Sequence, residues 1–192
     1  MKNTSLISTL LLSMVCLMPA SSIAADYTID TTHSFVEFKI QHLGYSWLYG
    51  RFNKLDGTMK YDAANPSNSA INITIDTGSI DSNHAERDKH LRGDDFLSVS
   101  KFPKATFKST SYQGDASKGV LTGVLSLHGI EKTIEIPVEK IGEGPDPWGG
   151  ERAGFAGTYT LTRADFGMDY NLGPASTKVI LTLGIAGIKK YA

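Results

Sequence analysis

The chain has 192 residues, a formal net charge of −1 and 41% hydrophobic side chains. That length and apolar fraction suit one domain with a sizeable core. The near-neutral charge argues against nucleic acid, which calls for a basic face, and 19 glycines fit bent strands and turns better than a helical bundle.

Lys2 gives a weakly basic start, Leu6 to Met18 form an apolar run, and Pro19 to Ala24 supply a break and small residues before Ala25. This is the three-part pattern of a secretory signal peptide. The run is shorter than the roughly 20 apolar residues that a membrane span needs. Residues 1–24 are therefore expected to be removed, leaving one mature domain over 25–192 outside the cytoplasm. Cys16, the one cysteine, lies inside the apolar run. Val15 precedes it where lipid-modified cysteines usually follow a small residue, which speaks against lipidation. The mature chain then has no thiol for a disulfide, for catalysis or for a cysteine-held metal.

Phe35 to His42 alternates, with Val36, Phe38 and Ile40 on one face and Glu37, Lys39 and Gln41 on the other, the period of a half-buried strand. Leu48 to Tyr61 reads as a second, longer extended stretch with Phe52 among its apolar residues. Asp62 to Asn68 is a loop by composition. Ala70 to Thr77 alternates most cleanly, with Ile71, Ile73 and Ile75 together.

One helix follows, over Asn83 to Gly93. Asn83 can cap it, Glu86 can complete a capping box, and Gly93 is placed to end it in a left-handed conformation. Glu86 and His90, and Asp88 and Arg92, sit at pairing distance along one side. Its apolar surface is small: Ala85 and Leu91, then Phe96 and Leu97. A helix of about ten residues does not stand alone in water, so it is expected to cap one end of a larger body.

Extended structure resumes over Pro103 to Tyr112, Val120 to Leu127 and Lys132 to Ile141. A hairpin turn at His128-Gly129 joins the last two. Pro137 on the outward face predicts an edge or bulge. Gly142 to Gly150 reads as a loop, Ala153 to Thr162 as a strand bearing Phe155, and Arg163 to Phe166 as one helical turn. Lys178 to Ile188 closes the chain, with Val179, Leu181, Leu183 and Ile185 on one face. About eight sequential strands with hairpin turns predict an up-and-down barrel, which holds side chains or one small ligand; a β-sandwich is the rival architecture.

The chemistry-bearing residues concentrate in the helix. His84, Asp88 and His90 invite a metal reading, yet His84 and His90 are six apart and do not share a helical face. The bland reading is a solvated, ion-paired surface. Between the two stands a third: Arg87, Lys89 or Arg92 meets the anionic head of a guest at the mouth. No nucleophile elbow, phosphate loop or dinucleotide fingerprint is present. Phe35, Phe38, Tyr45, Trp47, Tyr49 and Phe52 are dense near the start, and suit either ordinary core and rim or the wall of an apolar cavity.

Several runs in combination resemble the YceI family of bacterial periplasmic proteins. They are Ile40 to Gly50, His84 to Arg92 with Asp95-Phe96, Asp146 to Gly150 with Arg152 to Phe155, and Leu172 to Ser176. The resemblance spans the mature chain. It implies an all-β fold: an elongated, lipocalin-like, eight-stranded antiparallel barrel with one short helix between strands 3 and 4. It also implies a periplasmic protein that binds a long-chain polyisoprenoid, with no cofactor and no catalytic residue carried over. On that expectation Val36, Phe38, Ile40, Phe52, Ile71, Ile73, Ile75, Phe155 and Leu181 line the cavity. The alternative is a barrel-based enzyme or metal-dependent factor using His84, Asp88 and His90. N-terminal sequencing of the exported protein should read Ala-Asp-Tyr-Thr; a chain beginning at a lipid-modified Cys16 would contradict the signal-peptide reading.

Overall fold

The computed structural model describes residues 24–191. Cys16 and the expected signal peptide up to Ile23 lie outside the described residues. Eleven strands make one antiparallel sheet: β1 (Ala25–Ile29), β2 (Phe35–His42), β3 (Ser46–Phe52), β4 (Leu55–Tyr61), β5 (Ala70–Asp76), β6 (Ile80–Asp81), β7 (Lys104–Gly114), β8 (Lys118–Leu127), β9 (Ile130–Pro145), β10 (Glu151–Thr162) and β11 (Lys178–Lys189).

The first six strands are halves of three. Both β1 and β2 pair with β11, with Ile29 opposite Gly187 and Phe35 opposite Gly184, so they form one barrel strand interrupted at 30–34. The second barrel strand is β3 plus β4. The third is β5 plus β6, separated by a 3-10 turn at Thr77–Ser79. With β7 to β11 this makes eight strands, and the sheet closes because β11 pairs back onto the first. Helix α1 (Ala85–Leu91) lies between the third and fourth barrel strands. The barrel and its one helix are therefore as the sequence predicts.

Each interruption has a hydrogen-bonded cause. At the second, the Asn53 amide donates to the Ser79 carbonyl at 3.1 Å and the Lys54 amide to Ser79 Oγ at 3.0 Å. This tie breaks the single Leu48–Tyr61 stretch expected from sequence into β3 and β4. At the first, buried Asp30 accepts from the Thr32 amide at 3.0 Å and from Thr32 Oγ1 at 2.6 Å, and its Oδ2 lies 2.7 Å from His33 Nδ1. Arg152 also donates to Asp30, and its Nε donates to Asp146 at 3.0 Å. The first break is thus clamped to β10 and to the loop before it. Burial alone would raise the Asp30 pKa; the hydrogen bonds from Thr32, Arg152 and His33 outweigh it and hold the carboxyl well below the usual range.

Two further differences are instructive. The Gly142–Gly150 stretch is not all loop, since β9 and β10 stay paired as far as Pro145 opposite Glu151. The His128-Gly129 turn places both residues at positive φ, +53° and +76°, the conformation that suits tight hairpins. His128 bears this because its Nδ1 lies 2.8 Å from the Phe166 carbonyl and its ring meets Phe102 edge-on at 4.8 Å. Pro137 sits beside the point where β10 leaves β9, the last pair being Gly157 with Val138. A residue without an N–H belongs at such an edge.

Asp30→Asn is expected to lower the melting temperature at pH 7, because Arg152 loses its buried partner. A depressed carboxyl contributes stability above its unfolded pKa of about 4, and that contribution is lost as pH falls toward the folded value. The gap between native and variant melting temperatures should narrow steadily below about pH 4. A gap independent of pH down to strong acid would show that the clamp does not act through the charge.

Candidate functional site

The alternation that builds the strands also builds a lumen. Two chambers lie within the barrel, of ≈ 150 Å³ and ≈ 710 Å³, sharing Val36, Ile75, Leu125 and Leu181 in their walls. Ile71, Ile73 and Phe155 line the smaller chamber. Phe38, Ile40 and Phe52 line the larger. With Val36, Ile75 and Leu181 in both, each of the nine residues named for the cavity borders one chamber or the other. Gly50 is opposite Phe38 on the inner face, and a Cβ there would lie 2.3 Å from Phe38 Cζ. The missing side chain lets the ring lie flat on the wall.

The six early aromatics divide. Phe38 and Phe52 point inward, while Phe35, Tyr45, Trp47 and Tyr49 are on the outside, Tyr45 being 90% exposed. Lys39 Nζ sits 5.0 Å above the Trp47 ring on that outer face.

The two ends differ in polarity. The small chamber has Lys60 as its one charged lining residue among those described. The large chamber is bordered by the β2–β3 turn (Gln41, His42 and Leu43), the 170–173 segment and α1. Its lining includes Arg87, His90 and Arg163. Sequence reasoning missed Arg163, although a signal existed. Continuing the inward parity of Phe155, Tyr159 and Leu161 along β10 arrives at residue 163.

Helix α1 differs from expectation in how it is held. Its cap is His84, whose Nδ1 accepts from the Arg87 amide at 3.2 Å, and Asn83 instead takes a positive φ of +62°. The C-cap is Arg92 in the right-handed region, and Gly93 is not left-handed. Ala85 is exposed, whereas Asp88 is 7% exposed and accepts from the Ser82 amide at 2.8 Å and from the Ser82 hydroxyl. Arg92 donates to the carbonyls of Gly78 at 2.8 Å and Ile80 at 2.9 Å. The Glu86–His90 and Asp88–Arg92 side-chain pairs do not form; His90 lies 2.8 Å from Asp95 instead. Much of the helix is thus fastened by its polar side, with Leu91, Phe96 and Leu97 packing below.

Of the three head-group candidates, only Arg87 reaches the lumen. Lys89 is exposed and Arg92 is spent on backbone carbonyls, so both are removed from the set. His84, Asp88 and His90 each serve a different local partner. Among the described residues no three of His, Cys, Asp and Glu gather as metal ligands.

The family profile described as "YceI-like domain" matches residues 27–186. A UPF0312 protein of Pseudomonas aeruginosa is 53% identical over 171 residues, covering 88% of this chain and 90% of the relative. Protein YceI of Escherichia coli O157:H7 is 49% identical over 172 residues, with the same coverage of 88% and 90%. Among solved structures, a polyisoprenoid binding domain from Saccharophagus degradans superposes with a TM-score of 0.64 at 19% identity, covering 85% of this chain and 98% of that one. At that identity the likeness concerns the fold.

Phe96→Ala is expected to cost about 3–5 kcal/mol, as for other buried aromatics. Asp88→Ala should cost about 1–3 kcal/mol by leaving the Ser82 donors unmet. Glu86→Ala and Lys89→Ala should stay within about 0.5 kcal/mol. Thermal or urea unfolding of the four variants tests that order, and a costlier Glu86 change than Asp88 change would refute the polar fastening.

Proposed function

The chain belongs to the YceI-like family, and we propose that it is a periplasmic binding protein that holds a long-chain polyisoprenoid lipid in its barrel for transport or storage. The observation that carries the reading is the apolar interior of the barrel, two chambers walled mainly by aliphatic and aromatic side chains. The Saccharophagus degradans relative in fold, described as a polyisoprenoid binding domain, supports the ligand class. The signal-peptide pattern supports the compartment. Two ligand chemistries fit the class, a quinone precursor and an isoprenoid phosphate. The role assigned is binding, and no residue is given a catalytic part.

The dimensions favour a linear guest. Twelve residues of β11 at about 3.4 Å each span ~40 Å along the strand, and a strand tilt of roughly 40° leaves about 30 Å along the axis. Burial of hydrocarbon gains ~25 cal/mol per Å². For a tail of about 40 carbons, a ceiling near −0.3 kcal/mol per atom gives roughly −12 kcal/mol, or nanomolar affinity at best. Ordering a flexible chain lowers that figure.

Lipid extraction from protein purified from its native compartment should yield a polyisoprenoid. Titration with tails of graded length should show affinity rising steeply with length. Ile73→Asp or Phe38→Asp should abolish tail binding by placing a charge in the apolar wall, with circular dichroism confirming that the barrel still folds. No co-purifying lipid and no length dependence would overturn the reading.

A further inference from the structure

The outer surface of the β2–β3 hairpin carries chemistry that the lumen does not use. We propose that the tip of this hairpin docks on a lipid bilayer, with Leu43, Tyr45 and Trp47 in the boundary between headgroups and acyl chains and Lys39 and Lys178 against anionic headgroups. The docking stands on the hairpin's own surface. Its use, to bring the border of the large chamber to the lipid, rests on the binding reading above.

Leu43, Tyr45, Trp47 and Tyr49 are all exposed, and they occupy one turn and the strand that follows it. From Gln41 to Gly50 the one residue that can carry charge near neutral pH is His42. Leu43 and Gly44 both take positive φ, +54° and +81°, and the Tyr45 amide donates to the His42 carbonyl at 3.0 Å. Asn-Gly is the usual sequence for a hairpin turn of this kind. A leucine in that left-handed position strains the backbone, and with its side chain 60% exposed packing returns little for it. The same side chain borders the large chamber, so one residue belongs both to the outer patch and to the chamber wall. The outer face of β2 continues the patch. Lys39 is opposite Tyr49 and Gln41 opposite Trp47, while Glu37 and Arg51 face each other one step further from the turn. Lys178 is exposed and adjoins Val179, which pairs with Ile40. Among the described residues neither Lys39 nor Lys178 makes an ion pair.

Three features favour a bilayer over a protein partner. A hairpin tip is narrow, whereas a stable protein interface buries about 800 Å² on each side. Trp and Tyr, with an apolar body and a polar tip, concentrate where hydrocarbon meets water. Basic side chains beside them are drawn to anionic headgroups. The β9–β10 hairpin, at the opposite end of the barrel, differs. It too exposes Ile141 and Trp148, but its cations are already matched: Lys140 by Glu143, Lys189 by Glu151, and Arg152 by Asp30 and Asp146. Of the two hairpins, β2–β3 alone joins exposed apolar side chains to unpaired positive charge, which is the surface that settles into a headgroup layer.

The test is co-sedimentation of the mature protein at low ionic strength with isoprenoid-free vesicles, one set of phosphatidylethanolamine and phosphatidylglycerol, the other of phosphatidylcholine. The anionic vesicles are expected to bind at least about tenfold more tightly than the zwitterionic ones, as two lysines at a charged surface imply. Leu43→Asn should weaken binding about tenfold by removing buried hydrocarbon. It should leave the melting temperature unchanged or higher, because it supplies the residue that the turn prefers; a merely structural leucine would move stability downward instead. Tyr45→Ser should weaken binding to a similar degree, Lys39→Gln and Lys178→Gln roughly fivefold each, and Ile141→Ser not at all. In a Trp148→Phe variant Trp47 is the one tryptophan, and brominated acyl chains should quench its fluorescence. Absence of binding to both vesicles, or binding unchanged in Leu43→Asn and Tyr45→Ser, overturns the docking and leaves the lipid-binding reading intact. Self-association that replaces vesicle binding and is lost in the same two variants assigns the patch to a second copy of the chain, and also overturns it. Vesicle binding by a protein that yields no polyisoprenoid on extraction supports the docking and counts against the lipid-binding reading alone.

Discussion

Everything in this molecule depends on the closure of the sheet through β11. That strand pairs with β10 along its length on one side and with both β1 and β2 on the other. Without it the first barrel strand and β10 would each present an open edge, the usual route to mispairing. Closure also fixes which side of every strand is inside. A slip of one residue along β11 would turn Val179, Leu181, Leu183 and Ile185 to the solvent. The register that closes the barrel is therefore the register that makes an apolar lumen, and fold and cavity are one constraint.

A closed barrel still has to finish its ends, and the two ends do so by different means. At the β1 end, the clamp of Asp30, Arg152 and Asp146 ties the break between β1 and β2 to the β9–β10 hairpin. At the other end the third barrel strand runs out. β6 is two residues long and pairs only with β3, so backbone carbonyls at 78–82 lack a second neighbour. A buried carbonyl needs a donor. Arg92 serves Gly78 and Ile80, and Arg87 serves Ser82. The helix is thus a substitute for the missing strand, and its arginines stand in for ladder amides. That is why so short and so polar a helix remains in place.

The strands and their inner faces were legible because a strand's period is two and its parity carries directly into a closed sheet. Val36, Phe38, Ile40, Ile71, Ile73 and Ile75 point inward by that rule alone. The breaks were not legible. Nothing local in Phe52-Asn-Lys-Leu55 announces an interruption, since its cause is Ser79, far along the chain. β1 is only five residues long, so its alternation is too brief to read. In the helix, Arg87, Lys89 and Arg92 look alike in sequence. Their different fates follow from the rotation of the helix about its axis. That rotation is set by Ser82 and by the carbonyls at the end of β6, which no helical period reveals.

The large chamber poses its own physical problem. Empty apolar space forfeits dispersion contacts with every atom on its wall, and a core normally closes such a gap by shifting side chains inward. Here the wall cannot follow. Its backbone is held by continuous ladders on both sides of most strands, and bringing the walls together would break those hydrogen bonds. The cavity therefore persists as an unmet demand for apolar contact, met by a guest rather than by collapse. Binding and folding are linked as a result: any occupant that prefers the folded barrel stabilises it in proportion to its occupancy. The demand is not uniform along the axis. Toward Tyr61 the lining has Lys60 as its one charged residue among those described, and toward α1 it includes Arg87, His90 and Arg163.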